Sequence, residues 1–192
     1  MGQIFSNAID GEWEPTNVGL DDVVKGVCAW GAKTVKASRP FVQPSVRLIV
    51  GRNNPEYSYG EIADTNAGIG RQVLDIWNAR VDAVRERFGH TRTVVLLKGN
   101  NLVEFAVFEM ETRRYPPDLY EWRRNKNNNL EGFEQHTGVH RFTWQRHGSQ
   151  FTILEQIPEE RVKFRIQHPP RPYVEAVLQQ VGFDPSWVQV VG

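Results

Sequence analysis

Two adjacent acids and a lysine stand out near the start of the chain. Asp21 and Asp22 come directly before a short apolar stretch, and Lys33 lies in the next one, residues 27–35. The intervening Lys25-Gly26 is typical of a turn, so the two stretches are predicted to pair as a β-hairpin. Paired strands lie about 5 Å apart and carry every second residue on one face, so these acids and the lysine can meet across the hairpin.

Such a group of side chains suits the hydrolysis of a phosphodiester. Carboxylates bind Mg²⁺ through hard oxygen ligands, and an ammonium group can orient the attacking water and stabilise developing negative charge. We therefore predict that Asp21 and Asp22 bind Mg²⁺ and that Lys33 assists the attacking water.

The same stretch resembles the type II restriction endonucleases of the PD-(D/E)XK nuclease superfamily, whose core carries an acid at a strand start and acid-x-Lys on the neighbouring strand. Asp21 or Asp22 matches the first acid and Lys33 matches the lysine, but Gly31 stands where the second acid is expected. Glu61 is the first candidate to replace that acid in the catalytic group. The resemblance extends to the layout of most of the chain, and it implies a homodimer that cuts a short palindromic site in double-stranded DNA with Mg²⁺.

A second polar region favours contact with DNA. Residues 144–150 concentrate side chains that can read base edges, because Arg pairs with guanine and Gln with adenine through two hydrogen bonds each. The basic and amide-rich stretch 123–127 adds groups suited to phosphate contacts, and the loop 51–55 looks like the recognition side of such an enzyme. The predicted DNA-binding residues are Arg52, Asn53, Arg123, Arg124, Asn125, Lys126, Gln145, Arg146, His147, Ser149 and Gln150.

Three alternatives stay open beside the nuclease. Glu104, Glu109 and Glu111 could form a rival metal site in which Arg113 replaces the lysine, although Arg is a poor proton acceptor. The preferred role for these residues is in salt bridges or in supporting the recognition region. Gly31 favours a sequence-specific DNA-binding module that lacks catalysis. The balance of 23 basic and 23 acidic residues also fits a protein-interaction domain with no role on nucleic acid.

Length and composition predict one globular domain over residues 1–192. The chain has 40% apolar residues and 24% charged residues, which excludes long disorder or a fibrous repeat. Cys28 is the single cysteine, which excludes an internal disulfide and a Cys-based zinc site. No apolar run approaches the roughly 18 residues that cross a bilayer, and the start lacks the pattern of a secretory signal, so a cytoplasmic protein without membrane contact is expected.

The periodicity of apolar residues predicts a mixed α/β (α+β) fold, with a mixed central sheet of hairpins flanked by helices. The resemblance implies that this arrangement is the one found in restriction endonucleases. A 3.6-residue period predicts a long helix over 70–88 that ends at Gly89, and a second helix over 173–181. Residues 123–132 are expected to be a polar connection. About 15–50 would form the catalytic hairpin region, and about 51–192 the recognition and scaffold region. Further strands are predicted over 46–50, 93–97, 102–111, 140–144, 150–154, 162–166 and 187–191.

Overall fold

The computed structural model describes residues 1–14, 20–167 and 172–188. Four α-helices lie in these ranges: α1 (Gly2–Ile9), α2 (Pro55–Tyr59), α3 (Asn66–Phe88) and α4 (Val174–Gln180). The strands are β1 (Glu12–Trp13), β2 (Val23–Lys25), β3 (Cys28–Ala37), β4 (Ser45–Arg52), β5 (His90–Gly99), β6 (Glu104–Glu111), β7 (Tyr120–Arg124), β8 (Leu130–Glu134), β9 (His140–Gln145), β10 (Gln150–Gln156) and β11 (Val162–Arg165).

The strands form two sheets, where the sequence predicted one. The first sheet has the order β1-β2-β3-β5-β6-β11, and its β3 and β5 are parallel while its other neighbours are antiparallel. The second sheet has the order β4-β10-β9-β8-β7 and is antiparallel throughout. The predicted mixed α+β class is confirmed, and the predicted β2–β3 hairpin lies inside the first sheet.

Helix α3 packs against both sheets through one buried stripe. The stripe includes Val73, Leu74, Trp77 and Val81, which belong to one apolar core with residues of both sheets. The helix begins at Asn66, four residues before the predicted start, because the Thr65 hydroxyl caps it by accepting a hydrogen bond from the Gly68 N–H at 3.0 Å. Gly89, with φ 73°, ends it as predicted.

An aromatic core fills the space between α3 and the second sheet. Trp144, Phe142 and Phe151 are at most 1% exposed, and Trp122 packs in a stacked arrangement with Phe142. Glycine at position 70 of α3 is required here, because a Cβ would lie 2.2 Å from the Trp122 indole nitrogen. The long helix can therefore approach β7 closely.

The prediction of a polar connection over 123–132 is wrong. Strands β7 and β8 pair across this stretch, with Arg124 opposite Leu130 and a turn over 125–129. Trp122 and Leu130 face the core, while the outward face carries the charged residues Glu121, Arg123 and Glu131 together with Phe133. Only every second residue of such a strand is buried, which gives a weak apolar signal in strands of five residues. The polar residues of the outward face therefore led to the prediction of a polar connection.

The predicted strands over 46–50, 93–97, 102–111, 140–144, 150–154 and 162–166 are confirmed within a few residues, as is the helix over 173–181. Residues 185–187 form a single 3-10 turn, so the closing strand predicted over 187–191 does not begin where expected. The rest of that strand lies outside the described residues. None of the helices in the described ranges is long and apolar enough to cross a membrane.

Candidate functional site

Asp22 and Lys33 meet across β2 and β3. The Lys33 Nζ lies 3.7 Å from Asp22 Oδ2, and the Ala32 N–H donates a hydrogen bond of 2.7 Å to the same oxygen. Both side chains keep about a fifth of their surface exposed, 21% for Asp22 and 23% for Lys33. The hairpin therefore places a carboxylate and an ammonium group side by side at the surface, as its turn and strand pattern predicted.

Asp21 has a different environment. Its side chain is 3% exposed, and its Oδ2 accepts a hydrogen bond of 2.8 Å from the Arg87 guanidinium at the end of α3. This ion pair fastens the start of β2 to the long helix. Direct binding of Mg²⁺ by Asp21 stays a prediction.

Glu61 does not complete this group. It lies in the loop between α2 and α3, where its carbonyl oxygen is 3.4 Å from Nε2 of Gln72. Gln72 and Arg87 are fifteen residues apart on α3, which corresponds to about 22 Å along the helix axis. The expectation that Glu61 replaces the acid missing at Gly31 is therefore corrected.

Asp22 offers one carboxylate as a ligand for Mg²⁺. Mg²⁺ is often held by one or two carboxylates, with water and substrate phosphate completing its octahedral shell. Within residues 1–14, 20–167 and 172–188, no three His, Cys, Asp or Glu side chains are grouped as a metal site. Of the two residues in the pair, Asp22 is the one that would hold Mg²⁺.

The rival acids on β6 are engaged in ion pairs. Glu109 Oε2 lies 3.0 Å from Arg92 Nε and accepts a hydrogen bond of 2.8 Å from the Trp30 indole. Glu111 accepts one of 2.9 Å from Arg85. Burial raises the pKa of Glu109, but the Trp30 and Arg92 donors outweigh it and hold the pKa below its usual range. The salt-bridge role preferred from the sequence is confirmed.

The predicted DNA-binding residues gather at one end of the second sheet. Arg52 pairs with Gln150 across β4 and β10, and Gln150 pairs with Gln145 across β10 and β9. Leu130 of β8 lies opposite Trp144 of β9, so the β7–β8 turn, residues 125–129, stands beside the β9–β10 turn, residues 146–149. Stretches far apart in sequence thus lie at the same end of the second sheet. We call this region, the turns 125–129 and 146–149 with Arg52, Gln145 and Gln150, the ribbon end.

Several of these residues support the ribbon end from within. Asn53 is fully buried: its Nδ2 donates a hydrogen bond of 2.9 Å to the Val73 carbonyl, and its Oδ1 accepts one of 3.3 Å from Arg80. The prediction that Asn53 contacts DNA is therefore corrected to a structural role. Ser149 is also buried, at 7% exposed, and closes the β9–β10 turn with φ 54°. Asn125 orders the β7–β8 turn by accepting hydrogen bonds from two backbone N–H groups.

The two arginines of β7 already have protein partners. Arg123 donates 2.9 Å to Glu121 and lies over the Phe133 ring, with 5.3 Å from Cζ to the ring centroid. Arg124 donates to the carbonyl and side chain of Asn128. Both remain exposed, so a phosphate would have to share them with these partners.

Five other side chains of the ribbon end behave differently. Within the described part of the chain they form no hydrogen bond and no ion pair. Four of them line a groove of about 750 Å³ together with Ile49, Gly51, Arg80 and Gly148, and no lining residue is acidic. The five are Arg52, Gln145, Arg146, His147 and Gln150, of which Arg146 lines a smaller adjoining groove.

Helix α3 connects the ribbon end to the Asp22–Lys33 pair. Arg80 donates 3.1 Å to the Val50 carbonyl under the ribbon end, and burial lowers the pKa of its guanidinium. Arg87 follows seven residues later on the same stripe of the helix and binds Asp21, next to Asp22. Seven residues correspond to a rise of about 10 Å along the helix axis.

Arg80 was not among the predicted site residues. Its signal in the sequence is the seven-residue spacing to Arg87, which places two arginines on one helix stripe that is otherwise apolar at its edges.

A comparison with protein-family models, with curated proteins and with solved structures found no match to this chain.

Proposed function

We propose that this protein is a Mg²⁺-dependent, sequence-specific endonuclease of double-stranded DNA that acts in the cytoplasm as a homodimer. The observation that carries the proposal is the contact between Asp22, directly before β2, and Lys33 of the neighbouring strand β3, whose charged atoms lie 3.7 Å apart. The groove at the ribbon end supports it, because its lining is polar and contains no acidic residue. A homodimer would present two such pairs, one to each strand of a palindromic duplex.

Each residue has a distinct task in this proposal. A bound Mg²⁺ would supply Lewis-acid stabilisation of the phosphate and a more acidic water. Asp22 would hold the ion, and the Ala32 N–H of β3 orients its carboxylate by donating a hydrogen bond to it. The Lys33 ammonium donates to a non-bridging phosphate oxygen and orients the attacking water, so that it stabilises the charge that develops as the P–O bond breaks. Arg87 and Asp21 position the start of β2.

Digestion of methylation-free genomic DNAs, followed by sequencing of the fragment ends, tests the proposal. We expect discrete fragments with Mg²⁺, none with EDTA, and no cleavage by Asp22→Asn. Asp64→Asn is the matched control, because Asp64 is exposed in the loop before α3, whereas the start of β2 contacts Arg87 at the opposite end of that helix. The proposal fails if the protein yields no discrete fragments, or if Asp22→Asn cuts as well as the parent.

A second candidate is a duplex-binding module without catalysis. It is favoured by Gly31 at the position of the expected acid, and by the lack of a three-ligand metal group within the described residues. A Cβ at Gly31 would only reach ordinary contact with Leu20, at 3.7 Å, so steric exclusion does not account for the missing acid. Retarded mobility of duplex DNA, with no cleavage in Mg²⁺ or Mn²⁺, would establish this candidate.

A further inference from the structure

We propose that Gly2 is an N-myristoylation site and that the attached acyl chain lies in an apolar groove on the outer face of the first sheet. Residues 1–6 are Met1-Gly2-Gln3-Ile4-Phe5-Ser6, which matches the pattern Met-Gly-x-x-x-Ser/Thr of N-myristoylated proteins. The modification involves neither the Asp22–Lys33 pair nor the ribbon end, so it is independent of the endonuclease activity proposed above.

The modification requires two reactions at Gly2. A methionine aminopeptidase hydrolyses the Met1–Gly2 peptide bond and frees the Gly2 α-amino group. The lone pair of this amine then attacks the thioester carbonyl of myristoyl-coenzyme A on an N-myristoyltransferase. An amide bond forms, the C–S bond breaks, and coenzyme A leaves as the thiol with the proton that the amine gives up. Gly2 then carries a saturated acyl chain through a neutral amide.

The start of α1 provides a place for the acyl carbonyl. The Met1 carbonyl accepts a hydrogen bond of 3.0 Å from the Phe5 N–H. In the acylated protein the carbonyl bonded to the Gly2 nitrogen belongs to the acyl group, so it can accept the same hydrogen bond. Removal of Met1 without acylation would take this acceptor away and leave a positive charge at the positive end of the helix dipole. Acylation therefore suits the way α1 begins.

An apolar groove of about 470 Å³ lies next to Phe5 on the first sheet. Val94 lines the groove and is 1% exposed, whereas its neighbour Val95 belongs to the core around α3, so the groove is on the face turned away from α3. Val107 and its direct partner Val162 line the groove from β6 and β11, and Val162 is 67% exposed. The outward face of an antiparallel sheet is commonly polar, so an apolar groove there is suited to an apolar ligand.

Phe5 connects the N-terminus to this groove. Its N–H donates to the carbonyl that precedes Gly2, while its side chain lines the groove and packs edge-on against Trp30, with 5.7 Å between the ring centroids. An acyl chain that leaves this carbonyl begins within one helical turn of a lining residue. This proximity favours the chain's own acyl group as the occupant of the groove.

The size and charge of the groove fit one neutral acyl chain. Cavities that bind small molecules have volumes of about 300–1,000 Å³ and mainly apolar linings. Of the charged lining residues, Glu109 accepts a hydrogen bond from the Trp30 indole, Arg161 donates one of 2.7 Å to the Gln43 carbonyl, and Glu160 is exposed. The two carboxylates disfavour a free fatty acid, which is an anion, and leave the amide-linked chain as the occupant that fits.

Both motif residues also have local packing roles, which decide the choice of reference protein. A Cβ at Gly2 would lie 2.8 Å from Nε1 of Trp13, and the Ser6 hydroxyl donates a hydrogen bond of 3.0 Å to the Gln3 carbonyl. Substitution of either residue would therefore disturb α1. The reference is the unsubstituted chain produced without a transferase.

Production of the full chain together with an N-myristoyltransferase and myristic acid tests the modification. The intact mass is expected to show loss of Met1 and gain of one myristoyl group, and tandem mass spectrometry is expected to place the group on Gly2. Gly2→Ala, produced in the same way, should carry no acyl group. A parent chain that lacks the acyl group under these conditions overturns the proposal.

Binding to neutral phosphatidylcholine vesicles tests where the acyl chain lies. An exposed myristoyl chain binds a bilayer with a constant of about 10⁴ M⁻¹, so a chain held in the groove should leave the acylated parent as weakly bound as the unacylated reference. Val162→Asp places a charge in the groove and should raise vesicle binding of the acylated protein on the order of tenfold. Val139→Asp is the matched control, because Val139 is an exposed valine before β9 in the other sheet, and it should behave as the acylated parent.

Nuclear Overhauser contacts between an isotope-labelled acyl chain and the methyl groups of Val94 and Val107 give a second measurement, which needs no variant to fold. We expect such contacts in the acylated parent. Strong vesicle binding by the acylated parent, an unchanged result for Val162→Asp, or the absence of these contacts overturns the place of the chain in the groove. DNA cleavage is measured separately and is unaffected by any of these outcomes.

Discussion

The Asp22–Lys33 pair and the ribbon end differ in how their polar groups are satisfied. At the pair, the Asp22 carboxylate already accepts from the Ala32 N–H and lies beside the Lys33 ammonium. At the ribbon end, five polar side chains have no protein partner within the described residues. A polar surface without internal partners is suited to a ligand that brings its own donors and acceptors, whereas a mutually satisfied pair must exchange contacts when its ligand arrives.

This difference assigns different kinds of effect to the two regions. Changes at the pair should alter the rate of the chemical step and leave binding intact, because only one phosphate is contacted there. Changes at the ribbon end should alter the affinity for DNA and leave the cleavage rate of bound DNA unchanged.

The largest effect is expected for Lys33→Ala. Loss of a charged donor at the scissile phosphate should lower the single-turnover cleavage rate by about 10²- to 10³-fold, with an unchanged dissociation constant for DNA in Ca²⁺. Lys36→Ala is the control, since Lys36 is an exposed lysine on the same strand. An equal loss of rate for Gln145→Ala at saturating DNA would remove the distinction between the two regions.

The next effect concerns stability and separates the supports of the ribbon end from its free side chains. Asn53→Ala removes the hydrogen bonds to Val73 and Arg80 in a fully buried setting, and should lower the free energy of unfolding by about 1–3 kcal/mol. Gln150→Ala should stay within about 0.5 kcal/mol of the parent in the same urea titration. A larger loss for Gln150→Ala than for Asn53→Ala would contradict the assignment.

Salt dependence compares partnered with unpartnered arginines. Arg146→Ala should reduce the slope of log K against log salt concentration by about 0.9, because one phosphate contact is lost. Arg123→Ala should reduce it by less, because Arg123 is already paired with Glu121 and lies over Phe133. Titration of one duplex at several salt concentrations measures both slopes, and a steeper reduction for Arg123→Ala would reverse the comparison.

The smallest effect lies on the other face of β3, where Trp30 and Arg92 lower the pKa of Glu109. A lowered pKa in the folded state stabilises the protein above the unfolded value, near pH 4.3, and this contribution is lost as pH falls through the folded pKa. Glu109→Gln should therefore lower the free energy of unfolding at pH 7 by less than about 1 kcal/mol, and the difference should shrink towards pH 3. Urea titrations at both pH values test this, and a difference that grew in acid would contradict it.

Local patterns predicted much of the fold and part of the site. Apolar periodicity identified α3 and most strands, because both depend on which face of an element is buried. The turn at Lys25-Gly26 correctly indicated that Asp22 and Lys33 would face each other. Glu61 was placed wrongly because the local sequence does not show how far it lies from Asp21. Glu61 contacts Gln72, which is about 22 Å along α3 from Arg87, the residue that binds Asp21.

The ribbon end shows the same division. The sequence by itself determined which side chains could read DNA, and where a hairpin would place Gln145 and Gln150 as neighbours. Only the tertiary structure decided that Arg52 lies opposite Gln150, that the Asn53 side chain is buried, and that Arg80 supports β4 through the Val50 carbonyl. The physical reason is that side-chain type and strand alternation are local properties, whereas sheet order and burial depend on how α3 packs between two sheets.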